Sequence, residues 1–295
     1  MERTSVERVR SFNRLVAERA GTVADRFLDR PRSYGESRVL WQIGREGSDI
    51  RDLRAKLGLD SGYLSRVLRS LQKQRLIKVG LSESDGRVRR ATLTAAGRRE
   101  REEVDRRAND AARAVLEPLN AKQRERLVVA MREVELLLAA SLVAFEVADP
   151  NTRDAQWCLE QYFAELGERF PGGFDPVQST FATAEHFRPP EGLFVIARLH
   201  ADPIACGAML FLANARAYFK RMWVSGSMRG AGLGRRLLGE LERRAREAGA
   251  KIACLETHDS LPEAIAMYRS SGFREVSPFN DEHYAHHWFE KRLKG

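Results

Sequence analysis

A glycine-rich stretch in the second half of the chain joins a predicted strand to a predicted helix. The apolar strand covers residues 219–224, glycines follow at positions 226, 230, 232 and 234, and Leu237, Leu238 and Leu241 give the next segment an apolar face. The first amides of a helix lack intrahelical partners and lie at the positive end of its dipole, so they can bind phosphate oxygens. The sequence therefore predicts a phosphate-binding loop in a fold that mixes α and β structure.

The spacing of the glycines excludes two common nucleotide motifs. Leu237 stands where a dinucleotide fingerprint requires a third glycine, and the stretch has no Gly-Lys-Ser/Thr of a P-loop. It resembles instead the acetyl-CoA motif of the GNAT acetyltransferases, Arg/Gln-x-x-Gly-x-Gly/Ala, which Arg229, Gly232 and Gly234 match after a strand ending at Val224.

A second motif follows about thirty residues later. Residues 251–256 predict a strand, and a helix is predicted from Pro262 to Gly272, because proline suits a first helical turn and glycine suits the position after a helix end. Tyr268, four residues before Gly272 and Phe273, is similar to the tyrosine of the second GNAT motif. The resemblance covers about residues 140–295 and implies a mixed sheet flanked by helices.

The resemblance also implies a site for acetyl-CoA and the roles of individual residues. Tyr268 would donate a proton to the leaving sulfur. Many relatives carry a glutamate base where this chain has Tyr218, a poor base near pH 7, so proton removal would fall to Glu256, to a water chain or to bulk solvent. The residues expected to hold the cofactor are Met222, Trp223, Val224, Arg229, Gly230, Gly232, Leu233, Gly234, Arg235 and His258.

The acceptor site is expected between segments 153–174 and 279–288, which wall the acceptor pocket in this fold. Both segments are rich in aromatic residues, which favours a small amine such as an amino acid, although the same rings could belong to the core. Tyr162 and Phe174 are the expected aromatic contacts, and Arg169 or His283 would meet a carboxylate of the substrate.

The first half of the chain carries the whole positive excess. Through residue 145 there are 31 Lys and Arg against 21 Asp and Glu, and 19 against 20 thereafter. Segment 61–82 contains five of these cations and no acid. A basic patch in one element is the electrostatic footprint expected for binding to nucleic acid.

The basic patch begins in the second of two predicted helices, which are separated by a turn. Residues 50–57 predict a short helix, Gly58 a turn, and residues 61–74 a second helix whose apolar positions Leu64, Val67, Leu68 and Leu71 share one face. The opposite face is cationic. The expected DNA contacts of this helix are Ser61, Ser65, Arg66, Arg69 and Lys73.

A basic hairpin is predicted after the second helix. Strands at 76–80 and 88–93 flank a polar turn, with Arg87 and Arg89 at its return, and such a wing can reach the minor groove. Asp85-Gly86-Arg87 followed by Leu93-Thr94 resembles the wing of the MarR regulators. This resemblance covers about residues 1–139, and implies double-stranded DNA as partner and a homodimer formed by helices near 5–28 and 97–140.

The sequence thus predicts two domains, a mostly helical winged helix-turn-helix domain at 1–139 and a GNAT domain at 140–295. The N-terminus has no apolar core of a signal peptide, and the longest apolar run is too short for a bilayer, so a cytosolic protein without membrane contact is expected. Cys158, Cys206 and Cys254 are expected to be reduced core thiols. A histidine cluster at 283–287 lacks suitably spaced acids, so no metal site is predicted.

Three functions remain open at this point. The first is a regulator that also acetylates a small amine. The second is a regulator whose GNAT fold senses acetyl-CoA or an amine with little turnover, which Tyr218 favours. The third, a protein-lysine acetyltransferase, would require an open acidic groove, which the nearly neutral second half does not indicate.

Overall fold

The computed structural model describes residues 3–19, 32–82, 86–179 and 183–293. The chain forms two compact units, Met1–Met131 and Arg132–Gly295. Their division lies within a helix, Ala121–Ser141, a few residues before the boundary at residue 140 that the sequence suggests. Within the described ranges, no helix is long and apolar enough to cross a membrane.

The N-terminal unit is mostly helical and contains a small antiparallel sheet in the order β1-β3-β2. Its elements are α1 (Arg3–Arg19), α2 (Tyr34–Ile43), β1 (Ser48–Asp49), α3 (Ile50–Leu57), α4 (Ser61–Lys73), β2 (Ile77–Leu81), β3 (Arg89–Leu93), α5 (Ala95–Leu116) and the first part of α6 (Ala121–Ser141).

Helix α4 forms where its apolar spacing predicts it. The Asp60 carboxylate accepts a hydrogen bond from Tyr63 N at 2.8 Å and caps the helix. Leu64, Val67, Leu68 and Leu71 are buried in the core of the unit, together with Val39, Leu40, Ile43, Leu53 and Leu57 from the preceding helices. The predicted helix-turn-helix and its hairpin are therefore present.

The flanking helices differ from their predicted bounds. The first is described from Arg3 to Arg19, and residues 20–28 lie outside the described part of the chain. The segment predicted as helical from 97 to 140 is divided into α5 and α6 around Pro118, which lacks the N–H that a continuing helix needs. Asn120 and Gln123 then cap α6 reciprocally, side chain to backbone, at 3.0 Å in both directions.

The C-terminal unit is a seven-stranded mixed sheet in the order β4-β5-β6-β7-β8-β10-β9. Its remaining elements are β4 (Ala144–Val147), α7 (Arg153–Arg169), β5 (Gly192–Leu199), β6 (Asp202–Leu212), β7 (Arg216–Val224), α8 (Leu233–Glu247), β8 (Ile252–Thr257), α9 (Pro262–Ser270), β9 (Arg274–Val276) and β10 (His287–Arg292). Strand β4 starts at Ala144 because α6 continues to Ser141. Helix α9 ends at Ser270, so Gly272, with φ +87°, lies just past the helix end, as the sequence predicts.

Helices cover both faces of this sheet. Alternate residues of β6 point to opposite sides, so Ala205 and Met209 join a core with α8 and α9, whereas Cys206 and Ala208 join a second core with α7. All three cysteines are buried and free, as expected. The predicted fold class, a helical N-terminal region followed by a mixed sheet with helices, is confirmed.

Strands β7 and β8 separate along their length, and this opening positions the site. Their parallel pairing joins residues 216–218 of β7 to residues 252–254 of β8, ending at Tyr218 and Cys254. Beyond that point β7 remains paired with β6 through a register shift, at which Arg221 has φ +55°, and β8 remains paired with β10. A cleft therefore opens between the carboxyl ends of the two strands.

Candidate functional site

A groove of about 620 Å³ lies at this opening, between α7, the end of β7, the glycine-rich loop and α9. Nine of the ten residues expected to hold a cofactor line it, since His258 alone among them lies elsewhere. The nine are Met222, Trp223, Val224, Arg229, Gly230, Gly232, Leu233, Gly234 and Arg235.

The loop beneath the groove depends on two glycines. Gly230 and Gly232 have φ values of +85° and +74°, a region in which side chains with a Cβ atom are strained. Gly232 is the N-cap of α8 and provides no side-chain cap, so the first amides of a 15-residue helix remain available to a ligand. The local geometry is that of a phosphate-binding helix start.

An ion-pair network borders the groove. The Glu165 carboxylate pairs with the Arg229 guanidinium and accepts a hydrogen bond from Trp223 Nε1 at 3.0 Å. Arg169, one turn further along α7, contacts Glu165 at 3.3 Å, Glu263 Oε2 at 2.9 Å and the Ser260 carbonyl at 2.7 Å. These contacts join α7 to the start of α9 across the groove.

A second cavity, of about 90 Å³, adjoins the groove. Tyr162, Met222 and Tyr268 line both spaces, so they stand at the passage between them. Tyr268 is 7% exposed, and its hydroxyl lies 3.9 Å from Met222 Sδ. Burial raises the pKa of Tyr268 above its ordinary value, so its hydroxyl keeps its proton at neutral pH.

The polar side of this cavity is a buried charge cluster around Lys220. Lys220 Nζ lies 3.2 Å from Glu256 Oε1, 2.6 Å from Glu282 Oε2 and 3.1 Å from the Tyr218 hydroxyl. The side chains of Lys220, Glu256 and Glu282 are between 5% and 8% exposed. Burial raises the pKa of Glu256, and the charge of Lys220 offsets part of that rise.

Tyr218 is joined to this cluster by hydrogen bonds. Its hydroxyl accepts hydrogen bonds from Lys220 Nζ and from Asn280 Nδ2 at 2.8 Å, and Asn280 in turn accepts from Trp288 Nε1 at 2.7 Å. Tyr218 therefore orders the wall behind Lys220. Glu256 and Glu282 are the two carboxylates among the described residues that line the cavity with Tyr268.

Aromatic rings form the other wall of the small cavity. Phe170 stacks on His258 with ring centroids 4.1 Å apart, and Phe174 contacts Tyr284 at 4.7 Å. All four residues line the cavity. His258 accepts a hydrogen bond from Ser260 N at 2.9 Å, and burial lowers its pKa, so its ring is neutral near pH 7.

Only two of the four residues expected to contact the acceptor line the small cavity. Tyr162 and Phe174 line the small cavity, whereas Arg169 lies on the groove side, held by Glu165 and Glu263. His283 is exposed and packs edge-on against Tyr284 outside the cavity lining. His258, expected beside the cofactor, lies in the small cavity instead.

The N-terminal unit presents its basic residues to solvent. Every residue expected to contact DNA is exposed, namely Ser61, Ser65, Arg66, Arg69, Lys73, Arg87 and Arg89. Arg90 pairs with Asp49 at 2.8 Å and donates to the carbonyls of Glu46 and Gly47, which fixes the base of the hairpin to the turn before α3.

Comparison with known proteins agrees with both halves of the chain. Residues 156–273 match the model of the Acetyltransferase (GNAT) family. An IAA acetyltransferase of Azospirillum brasilense is 33% identical over 126 residues, which is 42% of this chain and 82% of the relative. The chain belongs to the GNAT acetyltransferase family. Acetyltransferases of the GNAT family typically use acetyl-CoA.

Other parts of the comparison concern the first half of the chain and further similar proteins. Residues 28–88 match the MarR family, so the chain joins a MarR-type region to a GNAT domain. An uncharacterized N-acetyltransferase of Schizosaccharomyces pombe is 28% identical and covers 43% of this chain and 78% of its own length. A solved GNAT acetyltransferase from Staphylococcus aureus covers 51% of this chain and its own full length (100%), with 20% identity and a TM-score of 0.44.

Sequence reasoning missed three residues of the GNAT domain site: Lys220, Glu282 and Glu165. Lys220 carried a signal, since it lies two residues after Tyr218 and strand alternation places both on one face. Glu282 follows no motif, and its position depends on the fold of the segment before β10. Glu165 reads from sequence as an ordinary polar residue of an amphipathic helix.

Proposed function

We propose that the chain is a DNA-binding transcription regulator and an acetyl-CoA-dependent N-acetyltransferase of a small amine. The observation that carries the enzymatic part is the placement of two groups in one small cavity. The Glu256 carboxylate and the Tyr268 hydroxyl both line the space of about 90 Å³ that adjoins the groove. A proton acceptor and a proton donor thus lie beside one reaction space.

The chemistry of the groove supports acetyl-CoA as its ligand. The open amides at the start of α8 suit a pyrophosphate, and the backbone of Met222–Val224 follows the point where β7 leaves β8 and suits an extended amide-bearing arm. Arg229 and Arg235 line the groove as cations. Bound acetyl-CoA supplies an acetyl group activated as a thioester.

Two side chains of the protein then transfer protons during the reaction. Glu256 accepts a proton from the amine nitrogen, so that the nitrogen can form its bond to the acetyl carbon. Tyr268 supplies the proton that the sulfur gains as the carbon–sulfur bond breaks. Both side chains are buried, and positioning of the two reactants beside them contributes to the rate.

Release of the CoA thiol is the test of this enzymatic proposal. Purified protein is incubated with acetyl-CoA and a panel of amino acids, polyamines, simple amines and lysine peptides, and free thiol is measured with and without each amine. Amine-dependent release supports the proposal. Thiol release that no amine increases, at concentrations that saturate acetyl-CoA binding, contradicts it.

The regulatory part concerns the N-terminal unit as a DNA-binding homodimer. Helices α1 and α6 expose apolar side chains that a second copy would cover, namely Val6, Val9, Phe12, Leu15, Val16, Val128, Val129 and Met131. Sedimentation equilibrium tests the dimer, and a mobility-shift assay with the protein's own promoter tests binding to double-stranded DNA. A monomer at micromolar concentration, or no shift at low salt, would count against this part.

A second candidate function is a regulator whose GNAT domain senses acetyl-CoA or an amine. Tyr218 favours it, because a buried tyrosine that is hydrogen-bonded to Lys220 replaces the usual glutamate base. The sensor predicts tight acetyl-CoA binding without turnover, together with DNA affinity that changes when acetyl-CoA is added. The enzyme predicts turnover, and the same thiol assay separates the two.

A further inference from the structure

Lys220 Nζ lies closer to Glu282 than to Glu256, although both carboxylates line the small cavity. It donates a hydrogen bond to Glu282 Oε2 at 2.6 Å and forms a longer ion pair with Glu256 Oε1 at 3.2 Å. The side chains of both carboxylates are less than a tenth exposed, so solvent and salt screen these charges little. The two carboxylates are therefore similar in burial and differ in how closely each holds the lysine.

Glu282 is fixed in place by contacts on both sides. Ser179 Oγ donates to Glu282 Oε2 at 3.1 Å, so this oxygen accepts from a serine as well as from the lysine. The segment that carries Glu282 is anchored to β7, because Asn280 Nδ2 donates to the Tyr218 hydroxyl at 2.8 Å. A short hydrogen bond between an ammonium and a carboxylate is among the stronger ones in proteins. Glu282 is thus suited to act as the counter-ion of Lys220.

Lys220 is confined by its other contacts. Its ammonium also donates to the Tyr218 hydroxyl at 3.1 Å and lies 5.0 Å from the centroid of the Tyr218 ring. An ammonium has three N–H donors, and three acceptors lie within 3.2 Å of this one, on Glu282, Tyr218 and Glu256. The attraction between opposite charges increases as their separation decreases, so the nearer carboxylate, Glu282, is the principal ionic partner of Lys220.

We propose that Glu282 is a positioning residue for the reaction: it holds the Lys220 ammonium and so limits the attraction of that cation for Glu256. An ammonium paired with Glu256 alone would make that carboxylate a weaker base. The negative charge of Glu282 acts in the same direction, since a neighbouring like charge favours proton uptake by Glu256. The two carboxylates therefore have separate roles, Glu282 as counter-ion and Glu256 as base. The role of Glu282 rests on the proposed acetyltransferase function and adds a residue to its mechanism.

The groups that face Glu256 come from several elements. Burial has the largest effect and raises its pKa; Lys220 and Tyr218 on β7 lower it, and Glu282 before β10 raises it. The remaining titratable neighbours of the two carboxylates are Cys254 on β8, Tyr162 on α7, Tyr268 on α9, Arg221 on β7 and His258 after β8. Burial lowers the pKa of His258 and raises that of both tyrosines and of Cys254, so these four are neutral near pH 7.

Titration of the Glu256 carboxyl tests the inference without requiring turnover. The full chain is labelled with ¹³C at the side-chain carboxyl carbons of glutamate, and the Glu256 signal is assigned by its loss in Glu256→Gln. In Glu282→Gln the pH midpoint of this signal should fall by about 1 pH unit or more, because Lys220 then pairs with Glu256 alone. Asp281→Asn, at the adjacent exposed position, is the matched control and should leave the midpoint unchanged. A midpoint that stays or rises in Glu282→Gln overturns the inference.

Two further measurements separate charge from packing and the inference from the proposed function. Glu282→Asp keeps the negative charge, so its midpoint should lie nearer to that of the parent protein than the midpoint of Glu282→Gln does; equal midpoints in the two variants would contradict the role of the charge. In the thiol assay, Glu282→Gln should move the acid limb of kcat/KM to lower pH and reduce the rate above it by about 3- to 10-fold, as expected for a weaker base.

Loss of the acid limb in Glu282→Gln, with kcat as low as in Glu256→Gln, would make Glu282 itself the base and overturn the inference. The acetyltransferase proposal would survive that result. A lowered Glu256 midpoint together with thiol release that no amine increases would have the opposite meaning. It would support the hold of Glu282 on Lys220 and contradict the acetyltransferase proposal.

Discussion

Lys220 Nζ lies 3.2 Å from Glu256 Oε1, and both side chains are less than a tenth exposed. Burial raises the pKa of the Glu256 carboxyl, and the charge of the adjacent Lys220 ammonium lowers it in part. Lys220 thus helps to determine the pH above which Glu256 is ionised. If Glu256 is the base, its neighbour controls the lower pH limit of activity.

The pH profile of a Lys220 variant checks this relationship. The pKa of Glu256 is raised in the folded protein, so activity should fall as the pH decreases through that value. Removal of the positive charge in Lys220→Met raises the pKa further and should move the acid limb of kcat/KM upward by about 1–3 pH units. Lys220→Arg, which keeps the charge, is the control, and an unmoved limb in Lys220→Met would show that Glu256 does not limit the rate.

Replacement of Glu256 tests the base directly. Glu256→Gln keeps the shape of the side chain but cannot accept the amine proton, so kcat should fall by about 10²- to 10⁴-fold and the acid limb should disappear. The affinity for acetyl-CoA, measured by calorimetry, should change little because Glu256 does not line the groove. Glu185→Gln, at an exposed position, is the control. A preserved rate would assign proton removal to water.

Removal of a single hydroxyl tests the proton donor. Tyr268→Phe keeps the ring packed against Phe273 and Phe289 but leaves no proton for the departing sulfur. We expect kcat to fall by about 10²-fold or more with little change in acetyl-CoA affinity. Tyr34→Phe, on the exposed surface of α2, should behave as the parent protein. Equal rates for both variants would remove Tyr268 from the mechanism.

A pair of glycine variants tests the phosphate-binding loop. Gly232 has φ +74°, so Gly232→Ala strains the start of α8 by about 1–2 kcal/mol and should weaken acetyl-CoA binding and lower Tm. Gly226→Ala is the matched control, because a Cβ atom there meets nothing within 4 Å and its φ is not positive. Similar acetyl-CoA affinities in the two variants would contradict a role for the loop conformation.

Two arginine variants test the DNA interface. Arg69→Ala, on the exposed face of α4, should weaken binding and relax base preference, whereas Arg87→Ala in the hairpin should mainly weaken binding and reduce the salt slope by about 0.9 for one lost phosphate contact. Fluorescence anisotropy at several salt concentrations measures both effects. Arg113→Ala, exposed on α5, is the control. Binding unchanged in all three would rule out these contacts.

The local parts of the fold could be predicted from sequence because their causes are local. The stripe of Leu64, Val67, Leu68 and Leu71 is buried in α4 as its spacing predicts. The sequence predicted the ends of helices and strands less accurately. The break between α5 and α6 at Pro118 depends on competition between adjacent elements, which the pattern of one segment does not contain.

The residues of the candidate site also fall into two groups, those predicted from local motifs and those placed by tertiary contacts. The loop from Arg229 to Arg235 and the position of Tyr268 follow from motifs in which neighbouring residues suffice. The residues that lie away from their expected places have distant partners: Arg169 lies against Glu263, ninety-four positions away, and His258 lies against Phe170. No spacing rule connects such residues, since they come into contact only when α7 folds over the sheet.

By itself, therefore, the sequence determined the two families, the glycine loop, the basic helix and hairpin, and Glu256 and Tyr268 as candidate groups, because each depends on residues close together in the chain. The tertiary structure alone decided that Lys220, Glu256 and Glu282 form one buried cluster, and that this cluster lines a small cavity with aromatic walls. The physical reason is the separation of β7 from β8 after Tyr218, which opens a space that residues from four distant segments then line.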